Sequence, residues 1–200
     1  MTDGSAARWN DNIHYHRRIL DAVPPNARTA LDVGTGNGLL AADLHRRIPQ
    51  VTAIDTNASV LESARHEDQG VTWIHGDVKT HPFREAQYDV VASVATLHHL
   101  PDLDGAFARL AALTAPGGVV AVVGLARSSR PLDYALDVAG AVQHRRLARR
   151  FGLWEHSAPV VWPPPHTYAE VRRSAAHILP GSTWSRLAMW RYAVIWRKPV

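Results

Sequence analysis

The stretch LDVGTGNGLLAADL, residues 31–44, constrains the fold of this chain more than any other part of its sequence. An apolar run leads into Gly34, Gly36 and Gly38, and a helical pattern of apolar residues follows them. A glycine-rich turn between a strand and a helix lets the backbone approach a nucleotide closely. The dinucleotide fingerprint G-x-G-x-x-G needs its third glycine at position 39, which is Leu39 here. The turn therefore indicates a nucleotide-like ligand and departs from the NAD pattern by one residue.

Short apolar runs alternate with helical patterns through the first 125 residues. Strands are predicted at residues 29–34, 51–55, 71–77, 88–97 and 119–125. Between them, apolar residues recur at spacings of three or four, which is typical of amphipathic helices. This alternation predicts an α/β fold with a doubly wound, mostly parallel sheet and right-handed crossovers.

The alternation of strand and helix patterns ends after residue 125. A helix is predicted over 131–151, and consecutive prolines exclude regular structure from PVVWPPPH, residues 159–166. A capping box at residues 167–170 predicts the start of a second helix. Alternating apolar and polar residues predict that 182–187 and 190–197 form an antiparallel pair of strands.

Composition narrows the class of protein. Hydrophobic residues make up 46% of the 200 residues and charged residues 20%, as expected for a globular chain with a sizeable core. No run is apolar enough to span a membrane, and the N-terminus lacks the apolar core of a signal peptide. The chain has no cysteine, which excludes disulfides and thiolate chemistry, and we expect a cytoplasmic protein.

The positive charge is modest and largely local. Lys79 and Lys198 are the only lysines among 22 basic residues, and the formal net charge is only +4 although the pI is 9.8. Arg145, Arg146 and the 149–150 pair form one basic helical face. Such runs are common on solvated helices, and RNA binding usually needs more clustering together with exposed aromatics. The composition therefore disfavours a nucleic-acid partner.

Three aspartates follow successive predicted strands. Asp32 lies near the end of the first strand, Asp55 ends the second and Asp77 ends the third, with intervals of 23 and 22 residues. Each interval is one strand–helix unit, so we expect all three to project at the carboxyl edge of the sheet, where open α/β sheets bind ligands. Asp55 is placed to accept both ribose hydroxyls, and Asp77 to accept an exocyclic amine such as that of adenine. Asp32 can order the turn or accept from an ammonium group.

Taken in order, these motifs resemble those of class I S-adenosylmethionine-dependent methyltransferases. The turn Asp-x-Gly-x-Gly-x-Gly over 32–38 resembles motif I, and residues 116–118 resemble the Pro-Gly-Gly turn before strand five. The final WRYAVIWRKP resembles a long seventh strand that runs antiparallel between strands five and six. The resemblance implies a Rossmann-like sheet of seven strands that binds S-adenosylmethionine. The implied cofactor-binding residues are Asp32, Gly34, Thr35, Gly36, Gly38, Asp55, Thr56, Asp77, Val78 and Val94.

The resemblance also implies where the acceptor and the catalytic groups lie. The end of strand four, Ser93 to Leu100, should line the site, which makes His98 and His99 candidates for a general base. The NPPY-type signature of DNA-adenine and protein-glutamine methylating members is absent from this segment. A small-molecule acceptor is therefore the leading hypothesis, and direct displacement on carbon needs mainly alignment and exclusion of water.

We expect one domain over residues 1–200, with four parts. Residues 1–28 are predicted to form a helical lid, 29–125 the cofactor-binding core, 126–180 a helical insertion that builds the acceptor pocket, and 181–200 the closing strands. Lid candidates are Trp9, Tyr15 and His16, and acceptor-pocket candidates are Trp154, Trp162 and Tyr168. No metal site is predicted, since cysteines and H-x-x-x-H pairs are absent.

Two other classes of function remain open from sequence. One is an NAD-dependent oxidoreductase, opposed by Leu39, by Asp77 and by the lack of a Tyr-x-x-x-Lys pair. The other is a cofactor-binding protein without catalysis, or an RNA-modifying methyltransferase that uses the face from Arg145 to Arg150. The acceptor, the atom methylated and the choice between monomer and homodimer are not determined by the sequence.

Overall fold

A computed structural model describes residues 8–158 and 161–200 of the chain. The part of the predicted lid at 1–7 and two residues of the proline-rich segment, Pro159 and Val160, lie outside the described residues. The helices are α1 (His16–Leu20), α2 (Leu39–His45), α3 (Ala58–Ala64), α4 (Leu103–Leu113), α5 (Pro131–Phe151) and α6 (Tyr168–Ile178), with 3-10 turns at Ile13–Tyr15 and Leu97–His99. The strands are β1 (Thr29–Val33), β2 (Gln50–Asp55), β3 (Thr72–His75), β4 (Tyr88–Val94), β5 (Thr114–Leu125), β6 (Thr183–Arg186) and β7 (Arg191–Arg197).

The strands form one seven-stranded sheet in the order β3-β2-β1-β4-β5-β7-β6. The first five pair in parallel, while β7 runs antiparallel to both of its neighbours and lies between β5 and β6. The strand order reverses beside β1, which is where open α/β sheets form a crevice for ligands. The predicted α/β class, the seven strands and the inserted antiparallel strand are confirmed.

Helices cover both faces of the sheet, and the core is divided accordingly into two layers. One layer packs α4 and α6 against the sheet around the fully buried Phe107 and Leu113. The other packs α1 and α2 around Ile19 and Leu44. Because both faces are covered, the central strands are almost continuously apolar. The inward faces predicted from apolar spacing in α2, α3 and α4 are all buried.

Three strand boundaries differ by two residues or more from those expected. The third strand ends at His75 rather than at Asp77. The fourth strand ends at Val94 rather than 97, since Ala95 takes a left-handed φ of 52° and the chain then enters a 3-10 turn. The fifth strand begins at Thr114, before the Pro-Gly-Gly turn that we expected to precede it. A register shift opposite Tyr88 accommodates the turn within the strand, and Gly117 takes a positive φ of 74° there.

The second half of the chain follows the prediction closely. The helix expected over 131–151 has those bounds, and the capping box at Thr167 opens α6 with reciprocal bonds between Thr167 and Glu170. The antiparallel pair of strands near the C-terminus is confirmed as β6 and β7. Among the described residues, no helix combines the length and apolar composition needed to cross a membrane.

Candidate active site

The glycine turn after β1 is held open by three residues with left-handed backbones. Gly34, Gly36 and Gly38 have φ values of 69°, 53° and 81°, a region that side chains with a Cβ rarely adopt. A Cβ at Gly34 would collide with Thr96, and one at Gly38 would meet Cη2 of Trp73 at 2.6 Å. These two glycines are needed for close packing within the protein.

Gly36 differs from the other two glycines because its neighbourhood is open. A Cβ there would meet only the Cβ of Ala158, at 3.7 Å. The backbone of Gly36 therefore borders free space, while its N–H donates to Oδ2 of Asp55 at 2.8 Å. The turn thus leaves its backbone open to the cavity at Gly36, while Gly34 and Gly38 allow close packing on either side.

Asp32 and Asp55 hold the turn from two sides. Oδ2 of Asp32 accepts from the Thr35 hydroxyl at 2.7 Å, and the other oxygen of Asp55, Oδ1, accepts from the Asn57 N–H at 2.9 Å. Asp32 is only 1% exposed, and this burial raises its pKa to about 6. Each carboxylate oxygen has more than one lone pair, so Asp55 can still accept hydroxyl hydrogens from a ligand while it holds the loop.

The third aspartate completes one wall of a single cavity. Asp77 lies two residues beyond β3, half-buried, and its Oδ1 accepts from the Lys79 N–H at 2.9 Å. Asp32, Asp55 and Asp77 all line a cavity of about 350 Å³ at the carboxyl edge of the sheet. This volume is in the range of sites for small organic ligands. The convergence expected from the strand spacing is therefore present.

Most residues expected to bind the cofactor line this cavity. Those that do are Asp32, Gly34, Thr35, Gly36, Asp55, Thr56, Asp77, Val78 and Val94. Gly38 does not, because it is the residue before α2 and packs against Trp73 and Ala64 instead. The lining thus combines the open backbone of Gly36 with three carboxylates and the apolar side chains of Val78 and Val94.

The candidate catalytic histidines also line the cavity but differ in environment. His98 is 6% exposed, and burial together with the neighbouring His99 and Arg191 lowers its pKa to about 3. His99 is exposed, but partial burial of its ring lowers its pKa. The negative charge of Asp55 offsets part of this shift. The two rings lie 4.2 Å apart between centroids. The pKa of about 3 leaves His98 uncharged near neutral pH and makes it a weak base.

Two segments far apart in sequence lie together in the wall of the cavity. The N-terminal segment contributes Asn10, Asn12 and Ile13 to the lining, and the segment after α5 contributes Trp154 and His156. The Trp154 N–H donates to the carbonyl of Trp9 at 2.8 Å, which joins the segments directly. Of the expected lid and pocket residues, His16 and Trp154 line the cavity, whereas Trp9, Tyr15, Trp162 and Tyr168 do not.

Arg191 is the functional candidate that the sequence analysis missed. It lies at the start of β7, is 7% exposed and lines the cavity. In the sequence it looked like one polar member of an alternating strand. The signal that could have found it is its register opposite Leu125, the last residue of β5, because this register places Arg191 at the ligand-binding edge.

The basic face of α5 lies apart from the cavity. Arg145, Arg146, Arg149 and Arg150 are all exposed, and no residue of α5 lines the cavity. The pattern predicted a solvated face, and exposure agrees with that. RNA binding by this face stays an untested hypothesis.

The seven-stranded sheet with an antiparallel β7, together with an acid-lined cavity beside a glycine turn, defines a Rossmann-like methyltransferase. A family model described as a methyltransferase domain matches residues 31–122. The chain is 44% identical over 195 residues to an uncharacterized methyltransferase of Mycobacterium bovis, covering 96% of this chain and 98% of that protein. It therefore belongs to the class I S-adenosylmethionine-dependent methyltransferases.

More distant comparisons agree on fold. A demethylmenaquinone methyltransferase of Roseiflexus castenholzii is 27% identical over 168 residues, covering 77% of this chain and 69% of that protein. The N-methyltransferase NodS of Bradyrhizobium japonicum, solved with S-adenosyl-L-homocysteine, superposes with a TM-score of 0.62 at 17% identity, covering 96% of this chain and 90% of that one. Membership of this family overturns the alternative of an NAD-dependent oxidoreductase.

Proposed function

We propose that this protein transfers the methyl group of S-adenosylmethionine to a small-molecule acceptor. The observation that carries the proposal is the convergence of Asp32, Asp55 and Asp77 on one cavity beside the open backbone of Gly36. Distant relatives support a small acceptor, since the Roseiflexus protein is named for demethylmenaquinone. The exposed basic face of α5 takes no part in the lining.

The carboxylates have separable roles in this proposal. Asp55 accepts the ribose hydroxyls while it holds Gly36, and Asp77 accepts the adenine amine beside the apolar wall at Val78. Asp32 orders Thr35 and lies near enough to the turn to attract the ammonium group of the cofactor. These roles divide recognition of the cofactor among three neighbouring strands.

The chemistry requires little from the protein beyond alignment. Bound S-adenosylmethionine supplies an electrophilic methyl group on a positively charged sulfur. The chain must place the acceptor in line with that group and exclude water, and this is a large part of what such sites contribute. His98 and Leu100, in and just after the 3-10 turn that follows β4, and Leu125, at the end of β5, provide the wall on which the acceptor rests. His99 is the better placed general base for an acceptor that must lose a proton.

Calorimetry with S-adenosylhomocysteine tests the proposal. We expect micromolar or tighter binding, no binding of NAD, and at least tenfold weaker S-adenosylhomocysteine binding after Asp55→Asn, because ribose then loses a charged acceptor. The matched control is Asp89→Asn, which changes a carboxylate at the opposite, amino edge of the sheet, where Asp89 accepts from the Thr29 N–H. Absence of S-adenosylhomocysteine binding to the folded wild-type protein would refute the proposal.

A further inference from the structure

Arg191 is a buried cation without an acidic partner. Its side chain is 7% exposed, and among the described residues no carboxylate oxygen lies within the 4.0 Å of an ion pair. Its guanidinium donates only to neutral oxygens, from Nη2 to Oδ1 of Asn12 at 2.7 Å and from Nη1 to the carbonyl of Met189 at 3.1 Å. Its Nε is buried without a partner. A buried charge left in this state costs folding free energy.

The neighbouring strand shows that the fold can neutralise such a charge. Arg186, on β6, donates to Oδ1 of Asp137 at 2.7 Å and stacks on the ring of Tyr168. The acid that most favours the charged form of Arg191 is Asp11, but Asp11 is bonded to His144 at 2.8 Å. The charge of Arg191 is therefore left uncompensated, and the side chain lines the cavity.

The position of Arg191 separates it from the carboxylates assigned to the cofactor. In the sheet order, β4 and β5 lie between β1, which carries Asp32, and β7, which carries Arg191. Neighbouring strands are about 4.8 Å apart, so the two strands are separated by about 14 Å. Arg191 thus lies on the far side of β4, beside His98 and Leu125, in the half of the cavity left for the acceptor.

We propose that Arg191, held by Asn12, binds a carboxylate group of the methyl acceptor. This inference rests on the proposed function and names the substrate class of the same site. The group is a monoanion because one unpaired guanidinium neutralises one charge, and His98 and Asn12 beside it add none. A phosphate dianion would leave an uncompensated negative charge in the same buried position. The guanidinium also suits a carboxylate through its planar array of N–H donors.

The test compares a carboxylate with its neutral isostere. Benzoate and benzamide are titrated by calorimetry into the wild-type protein with and without S-adenosylhomocysteine, and we expect at least tenfold tighter binding of benzoate. Arg191→Gln should abolish the preference and Arg191→Lys should restore part of it. Arg197→Gln, at the exposed opposite end of β7, is the matched control and should keep it. Equal binding of the two ligands to the wild-type protein would overturn the proposal.

A second variant protects the test against misfolding of the Arg191 substitutions. Asn12→Asp places an internal carboxylate where Oδ1 already lies 2.7 Å from the guanidinium. It should leave the melting temperature unchanged or higher and abolish the preference for benzoate, because the internal acid takes the place of the ligand. The same charge change at exposed Asn26, just before β1, should have no effect. If Asn12→Asp still prefers benzoate, Arg191 has a purely structural role and the proposal is overturned.

The methionyl carboxylate of the cofactor is the competing source of the same chemistry. S-adenosylhomocysteine carries this group and 5′-methylthioadenosine lacks it. If Arg191→Gln weakens only S-adenosylhomocysteine by tenfold or more, the guanidinium holds the cofactor and the proposal is overturned. If Arg191→Gln leaves the affinity for each of the two nucleosides unchanged, the result supports the role of Arg191 in binding the acceptor. Failure of the wild-type protein to bind S-adenosylhomocysteine refutes the proposed function instead, and is a different result from the loss of benzoate preference.

Discussion

At the scale of single residues, burial sets the properties of the site. Asp32 and Arg191 are both almost fully buried, yet one accepts a hydroxyl hydrogen and the other meets only neutral oxygens. Burial penalises the charged form of each, so the pKa of Asp32 is raised and that of Arg191 is lowered. Arginine nevertheless remains charged in proteins, so the missing counter-ion of Arg191 is the basis of the proposal that it binds an anionic group.

Asp32 makes stability depend on pH in a defined direction. Its folded-state pKa of about 6 lies above the unfolded value of 3.8, so its burial cost is absent below about pH 3.8 and complete above about pH 6. Asp32→Asn cannot ionise and can still accept from Thr35. We expect this variant to gain at most about 3 kcal/mol of unfolding free energy at pH 8, and less at pH 5. Urea unfolding at both pH values measures this, and an equal difference at both would contradict it.

The three aspartates could be predicted from the sequence because each ends one strand–helix unit. Their spacing fixed the edge of the sheet, and neighbouring parallel strands then brought them to one cavity. The same reasoning also predicted Gly38 as a cofactor-binding residue, but Gly38 does not line the cavity. A glycine pattern does not show which glycine borders a cavity and which packs against a side chain. That distinction depends on Trp73 and Ala158, which are remote in sequence.

At the scale of elements, the turn after β4 decides how the two candidate histidines differ. Strand β4 ends at Val94, and the left-handed Ala95 leads into a 3-10 turn at Leu97–His99. Leu97 and His98 are buried in this turn, while His99 is exposed and still lines the cavity. A continuous strand to residue 97, as the apolar run predicted, would have given a different orientation.

His98→Ala and His99→Ala should therefore have different effects. A general base must be uncharged and basic enough to accept a proton, and the pKa of about 3 for His98 makes it a poor one. We expect His99→Ala to lower kcat by about a hundredfold for an acceptor that loses a proton, and His98→Ala to lower it less. Each variant is the control for the other, and turnover unchanged in both would remove the base role.

At the scale of the whole molecule, two segments that are far apart along the chain meet in the wall of the cavity. Arg8 forms a two-pronged pair with Glu67, at 2.7 and 2.6 Å, and fastens the N-terminal segment to the loop after α3. On the other side, the Asn37 amide donates to the hydroxyl of Ser157 at 2.8 Å. The first pair joins the N-terminal segment to the loop after α3, and the second joins the segment after α5 to the glycine turn.

The lid predicted for the N-terminal segment remains a proposal, and it requires that this segment contributes to ligand affinity. Deletion of residues 1–12 removes Asn10 and Asn12 from the cavity wall but leaves α1 in place. We expect at least tenfold weaker S-adenosylhomocysteine binding, measured by calorimetry, because the deletion exposes the bound ligand to water. The far-UV circular dichroism of the deletion variant is the control for folding. Undiminished affinity in a folded variant would show that the segment only packs against the core.

The sequence by itself determined the α/β class, the order of the elements and the acid-lined edge, because local periodicity and regular strand spacing encode these features. Tertiary structure alone decided that Arg191 lines the cavity, that Gly38 does not, and that residues near 10 and 156 lie together in its wall. The physical reason is that strand register and side-chain packing bring together residues whose separation along the chain carries no signal. Burial, which sets the charge balance around Arg191 and the pKa of His98, exists only once those contacts have formed.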